Sequence, residues 1–391
     1  MKKGNGRSKQ LVDVTKRGEY TLITGGCGFI GTNLAQRLLA DGERVCVLDN
    51  LSRPGVERNL EWLRETYGDA VIVKIGDTRI FSDVQDAVRG AKRVFHFAAQ
   101  VAVTTSLDDP THDFDVNARG TLNVLEAIRR TPHQPPLLFT STNKVYGALD
   151  DIELDANDMR YTPMSARVLE HGVNERRPLE FHSPYGCSKG AADQYVLDYA
   201  RSFGLKTVVF RMSCIYGPHQ FGTEDQGWVA HFLIRALHRE PITIYGDGKQ
   251  VRDVLFIDDL VEAFLAASKK IDRVSGQAFN IGGGASETIS LLELIEMIAR
   301  LDGRAPRLEW SEWRTGDQKY YVSDTRRFAR ITGWRPRVSP REGIRRLREW
   351  LMANDTSAIV TRVDERPLVA KSRGPALVRL NDHRPTLSPE K

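Results

Sequence analysis

With 391 residues, 41% of them hydrophobic and 27% charged, the chain has the composition of a soluble globular protein that can bury a large core without disulfide or metal staples. No apolar run approaches the roughly 20 residues that a spanning helix needs, and the opening MKKGNGRSKQ leads into no apolar segment of the kind a secretory signal carries. The formal charge of +5 already resides in residues 1–18, where Lys2, Lys3, Arg7, Lys9, Lys16 and Arg17 face only Asp13; the remainder is net neutral, so an overall basic, nucleic-acid-binding fold is not supported.

Residues 1–18 read as a flexible basic tail. YTLITGGCGFIGTNLAQRLLADGERVCVLD, residues 20–49, then reads strand, glycine turn, amphipathic helix, strand. Ile30, Leu34 and Leu38 form the helical stripe, Gly42 is the stop, and Val45, Val47 and Leu48 form the second apolar run. The alternation continues with a strand over 71–77, a helix over 83–90, a strand over 93–99, a helix over 120–130 and a strand over 136–142. Strands alternating with helices predict an α/β fold of parallel β-α units. Residues 150–180 form an acidic, polar insertion. A helix over 188–203 and a strand over 206–213 follow. From Tyr216 the pattern loosens into loops and short helices over 228–239 and 290–301, expected to carry substrate contacts. Residues 353–391 are expected to be a disordered tail.

Gly25, Gly28 and Gly31 sit between the first strand and its helix. A helix N-terminus offers unpaired N–H donors and the positive end of a dipole to a pyrophosphate, and glycines let the backbone come close. Asp49 ends the second strand about 20 residues later, where a carboxylate binds ribose hydroxyls and repels a 2′-phosphate. The pattern predicts a dinucleotide site that favours NAD over NADP, with Arg53 close enough to soften the preference.

SPYGCSKGAADQY, residues 183–195, places Tyr185 and Lys189 four apart, on one face if the segment is helical. A phenol with a reference pKa of about 10 is a poor base at neutral pH. Lowering it by about three pH units takes roughly 4 kcal/mol, which an ammonium and a positive nicotinamide ring supply. TSTNKVYG, residues 140–147, brings Thr142 to the C-terminal end of a strand, where ligands gather in open α/β sheets. Its hydroxyl can bond a reacting oxygen as alcohol or ketone; the plain alternative is a strand-end cap. No Cys pair has CxxC spacing among Cys27, Cys46, Cys187 and Cys214, which read as buried reduced thiols of a cytoplasmic protein. The nine histidines show no HxH or HExxH spacing, so no metal is expected.

TGGCGFIG, HFAAQ, STNKVYG, YGCSK and RDVLFIDD together resemble the extended short-chain dehydrogenase/reductases, over residues 19–352. The resemblance implies a Rossmann fold: a doubly wound parallel sheet over residues 19–215, mainly binding NAD. A smaller C-terminal substrate-binding region over 216–352 would be interleaved with it. It implies Thr142, Tyr185 and Lys189 as catalytic residues. Gly25, Gly28, Phe29, Ile30, Gly31, Asp49, Asn50, Asp77, Thr78, Ala98, Ala99, Gln100 and Asn117 would contact or support NAD together with Tyr185 and Lys189. Asn143, Gln220, Arg252, Arg314 and Asp317 would contact substrate, the arginines holding a pyrophosphate. Glu224, Asp225, Gln226, Trp228, His182 and Ser183 are weaker candidates beside the sugar or base.

A narrower resemblance, in HSPYGCSKGAADQYV, FRMSCIYGPHQFGTEDQGWVAHF and ITIYGDGKQVRDVLFIDDL, is to the branch that inverts carbon 2 of CDP-linked hexoses of the paratose and tyvelose type. It implies a transient keto sugar, tightly held NAD, a CDP-sugar substrate and a homodimer or homotetramer, with no nucleic acid or membrane partner. Nucleotide-sugar 4,6-dehydratases carry an Asp-Glu pair after the threonine; here Asn143 and Lys144 stand there, and an amide cannot pass a proton as a carboxyl does. Inversion at carbon 4, a net dehydrogenase, and a non-catalytic NAD-binding scaffold or sensor stay open.

Overall fold

The computed structural model describes residues 19–314 and 316–354. The expected tail at 1–18 lies outside the described residues, as does the C-terminal tail from residue 355. The chain opens β1 (Tyr20–Thr24), α1 (Phe29–Ala40), β2 (Val45–Asp49), α2 (Val56–Tyr67), β3 (Val71–Ile75), α3 (Phe81–Val88), β4 (Ala91–His96). After α4 (Val103–Asp108) and α5 (Pro110–Phe114), a π turn over Asp115–Arg119 leads into α6 (Gly120–Arg130) and β5 (Leu137–Thr142). Next come the hairpin β6 (Leu154–Ala156) and β7 (Tyr161–Pro163), α7 (Ala166–His171), α8 (Ser183–Phe203), β8 (Thr207–Met212) and β9 (Cys214–Tyr216). The remainder is α9 (Trp228–Leu237), β10 (Ile242–Tyr245), β11 (Val251–Phe256), α10 (Ile257–Lys269), α11 (Ile271–Val274), β12 (Gln277–Ile281), β13 (Thr288–Ser290), α12 (Leu291–Asp302), β14 (Leu308–Ser311), β15 (Tyr320–Tyr321), α13 (Arg326–Thr332) and α14 (Pro340–Ala353).

Seven strands form one parallel sheet in the order β12-β8-β5-β4-β1-β2-β3. Helices cover both faces, so the central strands are apolar in both directions. Ile23, Val47, Phe95, Leu138 and Phe210 pack on one face, with Leu34 and Leu38 of α1 and Phe264 of α10. Leu22, Cys46, Val94, Phe139 and Val209 pack on the other, against Val84, Val124 and Val196. The period-two alternation along each strand thus feeds two separate cores. Strands β2 and β4 run outward on opposite sides of β1, so the chain changes direction between β1 and β4. Ligands settle at such a switch point, outside the carboxyl ends of the strands.

Strand β12 comes late in the chain yet joins the large sheet, while β11 pairs with β9, β13 and β15. Strands β10 and β14 pair separately. The end of the large sheet that carries Thr142 is thereby roofed by segments from the second half of the chain.

Several boundaries differ from the sequence reading. The strand expected to 77 stops at Ile75, because the Asp83 carboxylate accepts from Asp77 N (3.0 Å) and fixes a turn there. The strand expected over 93–99 starts at Ala91 and ends at His96, leaving Ala98 and Ala99 in a loop. Helix α8 begins at Ser183 rather than 188, with Pro184 in its first turn, so Tyr185 and Lys189 are both helical. The polar insertion holds a hairpin and α7. Residue 353, expected to open the tail, closes α14. Cys27 and Cys46 are buried, but Cys187 is exposed on α8, against the expectation of buried thiols. Among the described residues no helix is long and apolar enough to cross a membrane.

Candidate active site

The glycine loop is shaped by contact distances. A Cβ on Gly25 would lie 2.7 Å from Ala98 N, so the loops after β1 and β4 touch at the switch point. Gly25 also has φ +66°, a backbone region that other residues enter at a cost. A Cβ on Gly31 would sit 2.3 Å from the Gly25 carbonyl, so the third glycine lets α1 close on the loop. Gly28 differs: its Cβ would meet only the Gly25 carbonyl, at 3.3 Å. Space therefore remains in front of the N-terminus of α1, with Phe29 and Ile30 in its first turn. Asp49 ends β2 with its carboxylate accepting from Cys27 N (3.0 Å) and Leu51 N (3.0 Å). Burial raises its pKa and these N–H groups oppose the rise. Asn50 Nδ2 donates to Asp77 (3.0 Å), whose carboxyl is drawn down to about 2, chiefly by Arg79. Arg53 reaches away to the Gln226 side chain. Thr78 is buried, and its carbonyl accepts from Asn123 (2.9 Å).

Across the crevice, Ala98 N donates to Thr24 Oγ1 (3.3 Å), and Ala99 lies in the same loop. Gln100 N donates to Asn117 Oδ1 (3.0 Å) and Gln100 Nε2 to the Ala102 carbonyl (2.8 Å), while the buried Gln100 Oε1 has no partner. A cradle that only a glycine leaves open, a half-buried acid at the end of β2 and an orphaned amide oxygen across the switch point fit an elongated polar ligand with a diphosphate.

Thr142, Tyr185 and Lys189 converge at the carboxyl end of β5. The Tyr185 phenol lies beside Thr142, whose Oγ1 donates to Asn143 Oδ1 (3.3 Å) and accepts from Lys144 N (3.2 Å). Burial pushes the phenol up to about 12; neighbouring Thr142 lowers it and nearby Asp113 raises it. Lys189 Nζ donates to the Thr140 carbonyl (2.7 Å) and lies 4.3 Å from the Phe139 ring centroid. Burial brings the ammonium down to about 7, against the pull of Asp193 and Asp113. The sequence reading gave Lys189 and a positive nicotinamide ring together the task of lowering the phenol; in this arrangement burial dominates both residues and Lys189 spends one N–H on β5.

Of the residues that set this geometry, Asn117 was named from the sequence, while Ser106, Asp113, Ser188 and His96 were not. Asn117, in the π turn, donates to Asp113 Oδ1 and Ser188 Oγ (both 3.1 Å) while holding Gln100 N, and Ser188 Oγ donates to Asp113. Such turns in helices often mark functional sites. Ser106 Oγ accepts from Tyr185 N (3.2 Å). Buried His96 bonds Thr24 (2.6 Å) and Thr121 (3.0 Å). The spacings Asp113/Asn117 and Tyr185/Ser188 were visible as i, i+4 and i, i+3 pairs; what joins them was not.

The candidate substrate residues divide. Asn143 Nδ2 donates to Gln318 Oε1 (3.0 Å), and Gln318 Nε2 to the Gly147 carbonyl. Arg252 is buried and donates to Asp317 (2.7 Å) and to the Val251 and Gln318 carbonyls. The Arg314 carbonyl accepts from Asp317 N (3.2 Å), while its side chain is stacked 3.8 Å from the Tyr245 ring centroid and donates to the Glu224 carbonyl (2.8 Å), with the Glu224 carboxylate at 3.6 Å and Asp225 at 4.0 Å. Buried Gln220 donates to the Ile215 carbonyl (3.2 Å), its Oε1 lacking a partner. Trp228 donates to Cys214 Sγ (3.3 Å). His182 pairs with Glu180, and Ser183 accepts from Gly186 N (3.3 Å), the turn role.

Residues 21–282 match the NAD dependent epimerase/dehydratase family. CDP-paratose 2-epimerase of Salmonella typhi is 44% identical over 336 residues, 84% of this chain and 98% of that protein. A dTDP-glucose 4,6-dehydratase of Xanthomonas campestris is 32% identical over 362 residues, 86% of this chain and 93% of that protein. Among solved structures, the complex of Thermus thermophilus UDP-glucose 4-epimerase with NAD aligns with a TM-score of 0.70 at 33% identity, covering 85% of this chain and 99% of that one.

Proposed function

The chain belongs to the NAD dependent epimerase/dehydratase family, and on that premise we propose that it inverts carbon 2 of a CDP-linked hexose through a transient 2-keto sugar. It is an NAD-dependent nucleotide-sugar epimerase; the carbon, the sugar and the nucleobase are the proposal. The observation that carries it is the Tyr185–Thr142 contact at the carboxyl end of β5, beside the crevice that the Gly28 cradle opens.

NAD, when bound, supplies a hydride acceptor that returns the hydride, and a positive ring near the phenol. Gly25, Gly28, Phe29, Ile30 and Gly31 would hold its diphosphate at α1, and Asp49 and Asn50 a ribose, with Asp77 and Thr78 near the adenine. Ala98, Ala99, Gln100 and Asn117 would line the opposite wall. Thr142 would hold the sugar hydroxyl, Tyr185 would take its proton, and Lys189 would hold the phenolate charge. Tyr185 would give the proton back after the keto sugar turns its other face. Asn117, Ser188 and Asp113 would keep α8 in register with that chemistry.

The lyase reading has no support in the residues after Thr142: the Asn143 amide is tied to Gln318, and position 144 is a lysine. Inversion at carbon 4 uses the same three residues and is the second reading, favoured by the 4-epimerase alignment. The reading also takes the chain as a cytoplasmic homodimer or homotetramer. Exposed Leu107, Phe114 and Tyr195 on neighbouring helices and four free thiols support it.

A panel of CDP-, UDP- and dTDP-sugars, followed by NMR in deuterated water, tests it. Inversion at carbon 2 of a CDP-hexose without solvent deuterium is expected. Deuterium at the inverted carbon, net NADH release, or turnover of UDP-sugars alone at carbon 4 overturns it.

A further inference from the structure

Lys144 follows Thr142 by two residues, in the turn over Asn143–Tyr146 that leaves β5. Its side chain keeps 22% of its surface exposed. Its ammonium donates to the Gly316 carbonyl (3.0 Å) and stands 3.8 Å from Asp317, itself 27% exposed. Asp317 is also the partner of Arg252 (2.7 Å), which is only 8% exposed. Two cations therefore share one carboxylate, and the group carries a surplus of one positive charge. Arg252 is engaged by Asp317 and two backbone carbonyls. Lys144 has three N–H donors and spends one on Gly316; 3.8 Å is beyond hydrogen-bond reach. The surplus charge is thus accessible at Lys144 rather than at Arg252. Arg314 adds none, since Glu224 and Asp225 lie within 4.0 Å of it.

We propose that Lys144 is a substrate-binding residue whose ammonium meets an ionised phosphate oxygen of the nucleoside diphosphate, with Asp317 holding it between Arg252 and the cleft. This rests on the nucleotide-sugar reading above. The same contact fixes the loop around Gly316 and Asp317 to the turn after Thr142, so that binding the diphosphate would register the sugar against the reacting groups. An arginine predicted to hold the pyrophosphate becomes the anchor of the carboxylate that aims a lysine.

The test is calorimetric binding of free CDP, UDP and dTDP to the NAD-loaded full chain, parent and Lys144→Met, with KM and kcat for whichever sugar turns over. A lost charge-assisted hydrogen bond is expected to weaken diphosphate binding by about tenfold or more. KM should rise in step, kcat should change less than threefold, and NAD content should stay at parent level. Should the variant not fold, the parent alone decides. Burial brings the Lys144 ammonium down to about 8, with Asp317 opposing and Arg252 assisting. Of the other groups acting on it, burial raises the Cys214 thiol and so keeps it protonated. A terminal phosphate with its second pKa near about 6 is already ionised above neutrality. Affinity for CDP is therefore expected to fall as pH rises through about 8. Unchanged diphosphate affinity in Lys144→Met, or a flat profile from pH 7 to 9 in the parent, overturns the inference. A parent that binds none of the three diphosphates overturns the nucleotide-sugar reading instead.

Discussion

Replacing Tyr185 by Phe separates the chemistry from the scaffold. The ring is buried, the backbone N–H bond to Ser106 is untouched, and Thr142 beside the lost hydroxyl keeps its bond to Asn143. The stability cost is then at most about 1 kcal/mol, the size of one neutral hydrogen bond, a shift of no more than a few degrees in melting temperature. The functional cost is larger. A phenol held at about 12 needs roughly 7 kcal/mol of preferential phenolate stabilisation to ionise at pH 7, against the roughly 4 kcal/mol expected from the unperturbed value. Burial supplies the difference and makes the site depend on positive charge brought into the crevice. Removing the oxygen discards that whole arrangement, and a general base contributes about 10²–10⁴ in rate. The assay is epimerisation of the best sugar by NMR, with NAD content after denaturation and a melting curve on the same sample. The expected result is a fall in kcat of about 10³-fold with NAD content unchanged. Turnover within tenfold of the parent, in a variant that retains NAD, would refute the assignment of the phenol as base.

Gly28→Ala is expected to fold with near-parent melting but lose NAD, because the new methyl occupies the cradle; Gly31→Ala should lower the melting temperature too, since its methyl would strike the Gly25 carbonyl. Equal melting losses in the two variants would contradict this. Asp193 and Arg211 form a fully buried, doubly hydrogen-bonded pair between α8 and β8 (2.8 and 2.9 Å). Asp193→Asn should cost about 3–5 kcal/mol in urea unfolding, and Asp193→Leu with Arg211→Met should recover much of it. Burial depresses His96 to about 3 and His219 to about 4. Folded-state values below the unfolded 6.5 mean full stability above pH 6.5 and loss as pH falls toward 4. At pH 5 the two together cost about 4 kcal/mol. Unfolding free energy against pH should lose about two protons' slope in the double variant His96→Gln, His219→Gln; an unchanged slope would show that neither ring is buried neutral.

The parts legible in the sequence are those fixed by neighbours along the chain. Alternating apolar residues set which strands are buried on both faces, the glycine spacing sets a turn that α1 can close on, and four residues of helix put Tyr185 and Lys189 on one side of α8. Each is a short-range consequence of backbone geometry, so the α/β fold and the candidate trio at the end of β5 could be read before any contact was known. What packing alone decided is who meets whom. Gly25 touches Ala98 because β4 lies beside β1; Asn143 meets Gln318 and Lys144 meets Gly316 because the last third of the chain folds back over β5. Burial then changed the chemistry of residues already identified: it raised the phenol, lowered Lys189 and set Arg252 against Asp317. Desolvation and pairing depend on the whole three-dimensional surround of a group, and a linear pattern carries no measure of that surround.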